Sequence, residues 1–258
     1  MMKSALVSLV LALALAACAS PATQAPATRP SAEVVTQPPT SAPLPTDTPA
    51  PTATLAPTAT PEGQIFRDDF TGALQPGWSW QNENAARWSI TEDGWLQILG
   101  EDASLLSVQA QSNLLWHDLP VGDFVITVHL QAIPMADFHQ AAIFIYEDPE
   151  NYITINRGYC SFCLPGANGV YMDYKIGGAF GNYKVAVTAT DLYLRLESIG
   201  ETIAGYYALA PDQWQRVGRF GNYFAFNRGG IGVANVDAPP PDDVDLAGRF
   251  DYFEITRP

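Results

Sequence analysis

The residues of this sequence most capable of chemistry are its acidic side chains, since 27 Asp and Glu stand against 13 Lys and Arg in 258 residues. Hydrolysis of a glycosidic bond needs two carboxyl groups held about 5–9.5 Å apart across that bond. The densest acidic runs are Glu147-Asp148-Pro149-Glu150 and Asp242-Asp243-Val244-Asp245. Proline interrupts the first run and precedes the second, which predicts a turn and a solvated loop rather than a catalytic strand. We therefore expect no enzyme and assign no catalytic residue.

The three histidines, His117, His129 and His139, show no metal-binding spacing such as His-x-x-x-His. We expect each to be a satisfied or exposed imidazole. The formal charge of −14 repels phosphate backbones, which excludes nucleic acid as a partner. No cofactor is required by these residues.

Residues 1–17 are typical of an export signal, because Lys3 precedes an apolar run from Ala5 to Ala16 that is shorter than the roughly 20 residues of a membrane span. The run ends in Leu15-Ala16-Ala17-Cys18, which resembles the lipobox of bacterial lipoproteins. That resemblance implies cleavage before Cys18 and lipidation of its thiol, with the acyl chains anchoring the protein to the outside of the cell membrane. The alternative is an ordinary secretory signal with an incidental cysteine.

Residues 18–63 are expected to form a disordered tether. The 44 residues from Ala19 to Glu62 include 11 Pro, 10 Thr, 10 Ala and 3 Ser, and so have almost nothing apolar to bury. At about 3.1 Å per residue a Pro-rich chain of this length extends to roughly 130 Å. The segment is predicted to be either a stalk that lifts a domain from the membrane or a simple spacer.

Residues 64–258 are expected to form one all-β domain. All 29 aromatic residues lie between Phe66 and Phe253. Apolar residues alternate with polar ones from Phe124 to Gln131 and from Leu192 to Glu197, which is the pattern of half-buried strands. Turn clusters rich in Gly, Pro, Asn and Asp separate these runs. Many short strands in one domain predict a two-sheet sandwich or jelly roll.

Several stretches of this domain resemble a known family. They are Asp68 to Trp78, Trp88 to Ile98, Ala141 to Ile153, Leu192 to Ser198 and Phe250 to Ile255. Together they are similar to concanavalin A-like jelly rolls, and most of all to the C-terminal module of family 43 glycoside hydrolases (β-xylosidases) and related domains of unknown function. The resemblance implies a concanavalin A-like sandwich. No catalytic domain accompanies it in this sequence, so an enzymatic role does not carry over.

Cys160 and Cys163 remain once Cys18 is lipidated, and in an exported protein we expect them to form a disulfide with each other. Two alternatives stay open. A redox Cys-x-x-Cys requires a helix N-terminus, and a zinc site requires a second ligand pair.

A structural calcium is the one metal that the resemblance suggests. Jelly-roll glucanases of the same superfamily often hold Ca²⁺ with an aspartate on the last strand and N-terminal residues, and Asp251 and Asp69 match those places. The alternative is that these aspartates are solvated or capped by the backbone.

One sheet face is the candidate carbohydrate site. Residues opposite in parity to Ile143 and Ile145 combine aromatic rings with amides and charges, as a sugar ring requires. The candidates are Gln140, Phe144, Tyr146, Tyr152, Asn156, Asp173 and Arg195. Trp78, Trp88, Trp95 and Trp214 are instead expected in the core. The sequence thus predicts a lipid-anchored carbohydrate-binding domain, with an envelope structural or adhesion domain that binds protein as the alternative and a glycoside hydrolase as a weaker one.

Overall fold

The computed structural model describes residues 63–102, 108–235 and 245–258. The predicted signal, the tether and Cys18 lie outside the described residues. Within the three described ranges, the regular structure consists of fifteen β-strands and one short 3₁₀ turn, Ala85–Arg87. None of the described segments forms a helix long and apolar enough to cross a membrane.

The strands are β1 (Gln64–Asp68), β2 (Ser79–Gln81), β3 (Trp88–Ile90), β4 (Leu96–Leu99), β5 (Leu114–Asp118), β6 (Phe124–Ala132), β7 (His139–Asp148), β8 (Asn151–Tyr159), β9 (Asn168–Ile176), β10 (Ala179–Ala186), β11 (Asp191–Ile199), β12 (Thr202–Ala208), β13 (Gln215–Gly221), β14 (Arg228–Asn235) and β15 (Ala247–Thr256).

These strands form two antiparallel sheets packed as a sandwich. One sheet, here the β6 sheet, has the order β13-β12-β11-β6-β15-β4-β3, with β1 paired to β15. The other, here the β7 sheet, has the order β10-β9-β8-β7-β14-β5-β2. The predicted all-β, two-sheet architecture is therefore confirmed.

The core lies between the two sheets and follows from the period of two along each strand. Leu192, Leu194 and Leu196 of β11 face inward from the β6 sheet and are fully buried. Ile143 of β7 and Ile155 of β8 face them from the β7 sheet. Full burial of each such side chain contributes about 1.5–3 kcal/mol, so the alternation seen in the sequence is the main source of stability.

Asp68, the last residue of β1, orders the turn that follows. Its carboxylate is buried and accepts hydrogen bonds from the backbone N–H of Phe70 (2.8 Å), the backbone N–H of Gln75 (2.8 Å) and Nε1 of Trp78 (2.8 Å). Three N–H donors replace the water that this buried carboxylate loses. Asp68 therefore holds the start of the domain against the core.

The four tryptophans expected in the core divide between two environments. Trp78 and Trp88 pack against the core as expected. Trp95 and Trp214 are only half-buried, and arginines lie over their rings, at 5.0 Å and 3.9 Å respectively. The expectation that Trp95 and Trp214 belong to the core is wrong, because they pack under the charged groups of Arg249 and Arg195 instead.

Arg157 on β8 is a cation buried on the core side of its sheet. It donates to the carbonyl oxygens of Ala189 (2.8 Å), Gly158 (2.8 Å) and Gly169 (3.3 Å), and to Oδ1 of Asn168 (2.7 Å). Burial lowers the pKa of Arg157 to about 10. The guanidinium is held by neutral acceptors alone, and it joins β8 to β9 and to the segment after β10.

The two ends of the described domain lie together. β1 pairs with β15, and the backbone N–H of Arg257 donates to the carbonyl of Gly63. β6 begins at this same end, since Val125 pairs with Thr256, and it runs to the opposite end of the sandwich. β7 therefore begins at the opposite end, after a short connection.

Candidate functional site

The strand register places six of the seven predicted carbohydrate-binding residues on the outer face of the β7 sheet. Phe144, Thr154 and Asp173 are direct neighbours across β7, β8 and β9. The six predicted residues on this face are Gln140, Phe144, Tyr146, Tyr152, Asn156 and Asp173. Arg195 is not with them. It lies on β11 in the β6 sheet, where it stacks on Trp214, so the expectation that it joins this face is wrong.

The aromatic half of this face is closed. Phe144, Tyr152 and Tyr146 are 0, 2 and 8% exposed and form a second apolar cluster with Trp116 and Leu114. The Arg228 guanidinium lies 4.7 Å from the ring centre of Tyr146. These rings pack against each other and do not present flat surfaces to a ligand, contrary to the expectation.

Glycines on β14 explain why the cluster can close. Gly230 and Gly232 have no side chain on this face. A Cβ at Gly232 would collide with the Leu114 side chain, and one at Gly230 would lie 2.8 Å from the Trp116 ring. Large side chains of β5 therefore lie flat across β14 and reach Phe144 of β7. The signal in the sequence is the run Arg228-Gly-Gly-Ile-Gly232.

The open half of the face is a pocket of about 190 Å³. Gln140 and Asp173 line it, together with residues that the sequence analysis did not select. Its aromatic walls are Phe138, Tyr159, Tyr171 and Phe180, and it is completed by Cys160, Cys163, Gly181 and Asn182. Tyr171 has the same strand parity as Asp173, so parity alone would have found it.

The floor of the pocket is a carboxylate held by amides. Oδ2 of Asp173 accepts from Nε2 of Gln140 (3.0 Å) and from Nδ2 of Asn156 (2.8 Å). Nδ2 of Asn156 also donates to Oγ1 of Thr154 at 3.4 Å. Among the described residues, no donor is bonded to Oδ1 of Asp173 or to Oε1 of Gln140. The predicted residues Gln140, Asn156 and Asp173 thus form one connected unit.

Ionisation of Asp173 is unfavourable at this buried position. Burial raises its pKa to about 6, although the bonds from Asn156 and Gln140 and the nearby charge of Lys184 oppose the shift. Burial also raises the pKa of Tyr171 to about 12 and raises that of Tyr152. Near neutral pH, the pocket therefore holds one anionic carboxylate among neutral aromatic groups.

A disulfide forms one wall of the pocket. Cys160 and Cys163 are bonded to each other in a tight turn, as expected for the two cysteines that remain in the exported chain besides Cys18. The backbone N–H of Cys160 donates to the carbonyl of Ala167. Phe162, between the two cysteines, is exposed and contacts Phe138 edge to face at 5.8 Å. The disulfide fixes the aromatic rim in place.

The two aspartates predicted to hold calcium contact separate basic side chains. Asp69 Oδ1 is 2.6 Å from the Arg67 guanidinium, and Asp251 Oδ2 is 3.0 Å from Nδ1 of His129. Within the described ranges, no group of three His, Cys, Asp or Glu residues could hold a metal ion. The arrangement does not fit a calcium site at Asp69 and Asp251, because each carboxylate already has a basic partner.

Comparison with solved structures shows what the fold is similar to. The GH43 protein BlXynB from Bacillus licheniformis matches with a TM-score of 0.65 and 21% identity, over 74% of this chain and 39% of that one. A xylan β-1,4-xylosidase from Bacillus halodurans C-125 matches with a TM-score of 0.60 and 21% identity, over 78% and 41%. A functionally unknown protein from Saccharomyces cerevisiae matches with a TM-score of 0.50 and 14% identity, over 70% and 97%.

The chain therefore spans about two-fifths of the length of the two Bacillus proteins that it matches. A comparison with curated proteins found no match. A comparison with protein families matches residues 67–227 to the β-xylosidase C-terminal concanavalin A-like domain. Since that match covers more than half of the chain, this protein belongs to the family of β-xylosidase C-terminal concanavalin A-like domains.

Proposed function

We propose that the pocket around Asp173 binds a glycan, and that the protein is a non-catalytic, lipid-anchored carbohydrate-binding protein of the outer cell surface. The observation that carries the proposal is a buried carboxylate, kept at the floor of an aromatic-walled pocket by two amides. Aromatic faces and oriented polar groups are the two elements of sugar recognition.

The size of the pocket favours one sugar ring. Its volume of about 190 Å³ is below the range of roughly 300–1,000 Å³ that holds drug-sized ligands. The exposed ring of Phe180 at one side and that of Phe162 beyond the disulfide extend the apolar surface for neighbouring units of a chain. A polysaccharide or oligosaccharide is therefore a better fit than a large compact ligand.

The carboxylate count supports a binding role. Asp173 is the one carboxylate among the residues that line the pocket. Glycoside hydrolysis requires a second carboxyl group about 5–9.5 Å away. The pocket lining supplies binding groups without that acid–base pair.

Calorimetric titration of a panel of plant and microbial oligosaccharides tests the proposal. We expect dissociation constants in the micromolar-to-millimolar range, since each aromatic contact contributes on the order of 1 kcal/mol. Phe180→Ala should weaken binding several-fold without unfolding the protein, because Phe180 is 54% exposed. Tyr223→Ala is the matched control, since Tyr223 is exposed and does not line the pocket.

Two results would oppose glycan binding. One is the absence of any oligosaccharide ligand, which would favour the protein-binding adhesion role. The other is a Phe180→Ala variant that binds as tightly as the wild type.

The lipid anchor is tested separately, at Cys18. Because Leu15-Ala16-Ala17-Cys18 resembles a lipobox, Cys18→Ser should move the protein from the membrane pellet to the soluble fraction. A Cys160→Ser/Cys163→Ser variant removes the other two cysteines and should stay in the pellet. Unchanged pelleting of Cys18→Ser would refute anchoring through this residue.

A further inference from the structure

The polar groups that remain free for a ligand at the floor of the pocket are acceptors. Nε2 of Gln140 and Nδ2 of Asn156 both donate to Asp173. The hydroxyl of Tyr171 donates to the carbonyl of Ala167 at 2.7 Å. Oδ1 of Asp173 and Oε1 of Gln140 have no bonded donor among the described residues, and neither has the buried Oδ1 of Asn156 behind them. Such a floor favours a ligand that brings several N–H or O–H donors.

The floor also carries a negative charge that no described cation contacts. No described Lys, Arg or His lies within ion-pair distance of Asp173. The ionisable groups that act on it from the adjacent strands are Lys184 on β10 and the phenols of Tyr171 and Tyr152. Lys175 on β9 is already paired with Glu150 at 2.9 Å. The carboxylate is thus desolvated without a counter-ion. The pocket should therefore strongly favour a ligand that brings a cation.

The walls are suited to the same cation. Phe138, Tyr159, Tyr171 and Phe180 line the pocket. Aromatic faces attract ammonium groups through the ring quadrupole, and the attraction is stronger where the contact is desolvated. A carboxylate at the floor and aromatic rings at the walls together suit the pocket to an ammonium group.

We propose that this pocket takes the protonated amino group of an amino sugar, such as an unacetylated glucosamine unit within a chain. This inference rests on the proposed glycan binding and names its substrate class. The ammonium group donates to Asp173 Oδ1 and Gln140 Oε1, and its positive charge pairs with the carboxylate. An N-acetylated unit offers one neutral N–H in place of the ammonium group, and a uronic acid brings a carboxylate that Asp173 repels.

The test compares four ligands at pH 7 on the full chain by calorimetry. They are a glucosamine tetramer, its N-acetylated counterpart, xylotetraose, and the simple diamine cadaverine. We expect the glucosamine tetramer to bind at least about tenfold more tightly than the acetylated one, since charge-assisted hydrogen bonds are stronger than those of a neutral amide. Asp173→Asn should remove that preference. Asp212→Asn, which removes the same charge from an exposed turn, should keep it and so controls for attraction to the acidic surface.

The other possible results have distinct meanings. Equal affinity for the acetylated and unacetylated tetramers overturns this inference and leaves the proposed glycan binding intact. A preference that survives Asp173→Asn overturns it as well. Binding of cadaverine as tightly as the glucosamine tetramer supports the ammonium site but contradicts glycan recognition. Absence of binding by all four, together with a negative oligosaccharide panel, defeats both proposals.

Discussion

Replacing Asp173 by asparagine should stabilise the protein at neutral pH. The pKa of Asp173 is raised from 3.8 to about 6 in the folded state. A difference of about 2 pKa units corresponds to roughly 3 kcal/mol of lost stability once the carboxylate is ionised. Asparagine keeps an oxygen that accepts from Gln140 and Asn156, and it places its amino group toward the pocket. The variant therefore removes the cost and keeps both hydrogen bonds.

The effect has a defined pH dependence. Below pH 3.8 the carboxyl group is protonated in both the folded and the unfolded state, so its contribution is equal in the two states. As the pH rises from 3.8 to 6, the unfolded chain ionises first and the stability of the folded wild type falls. Above pH 6 the full cost of about 3 kcal/mol is present. Asp173→Asn should therefore differ from the wild type at pH 8 and scarcely at pH 4.

Thermal unfolding of the two proteins between pH 4 and pH 8 measures this difference. For a domain of this size about 1 kcal/mol shifts Tm by about 2–4 °C, so Asp173→Asn should melt about 6–12 °C above the wild type at pH 8. Asp212→Asn should show the same small difference from the wild type at both pH values. A Tm difference for Asp173→Asn that does not change with pH would refute the burial cost assigned to this carboxylate.

Three further outcomes follow from the structure. Arg157→Lys should lower the free energy of unfolding by about 2–4 kcal/mol, because an ammonium group cannot reach all four acceptors of the guanidinium. Denaturant unfolding measures this, and an unchanged midpoint would contradict the role assigned to Arg157. Gly230→Ala should lower the free energy of unfolding by about 1–3 kcal/mol, since its Cβ meets a backbone carbonyl. Gly232→Ala should lower it less, because its Cβ meets a flexible leucine side chain. The reverse order in denaturant unfolding would contradict the packing described for β14. Chelation by EDTA should leave Tm unchanged, because Asp69 and Asp251 already have basic partners; a fall in Tm that Asp251→Ala abolishes would instead establish calcium there.

Strand parity predicted the faces of the domain well. The side chains of Ile143 and Ile155 lie in the core, and Asn156 and Asp173 lie on the opposite face, because alternation is a local property of an extended chain. Arg157 has the parity of Ile155 and so lies on the core side, although the sequence analysis did not select it. Its acceptors on β9 and after β10 depend on strand pairing, which parity does not show.

Parity does not reveal to which sheet a strand belongs. Arg195 has the parity of an outer-face residue, but β11 pairs with β6 and carries it to the other sheet. Nor does parity show how neighbouring side chains fill space. The closure of the face over Phe144 depends on the absence of side chains at Gly230 and Gly232, which are one strand away. Long-range pairing and packing decided both points.

The pairing of β1 with β15 has a consequence for how the pocket can be presented. The chain enters the domain at Gly63 and leaves it after Arg257 at one end of the sandwich. Gln140 and the disulfide turn lie at the start of β7 and the end of β8, toward the other end. Attachment directly at either end of the domain, at Gly63 or after Arg257, to a bead, a sensor surface or a fused carrier therefore leaves the pocket facing away from the support.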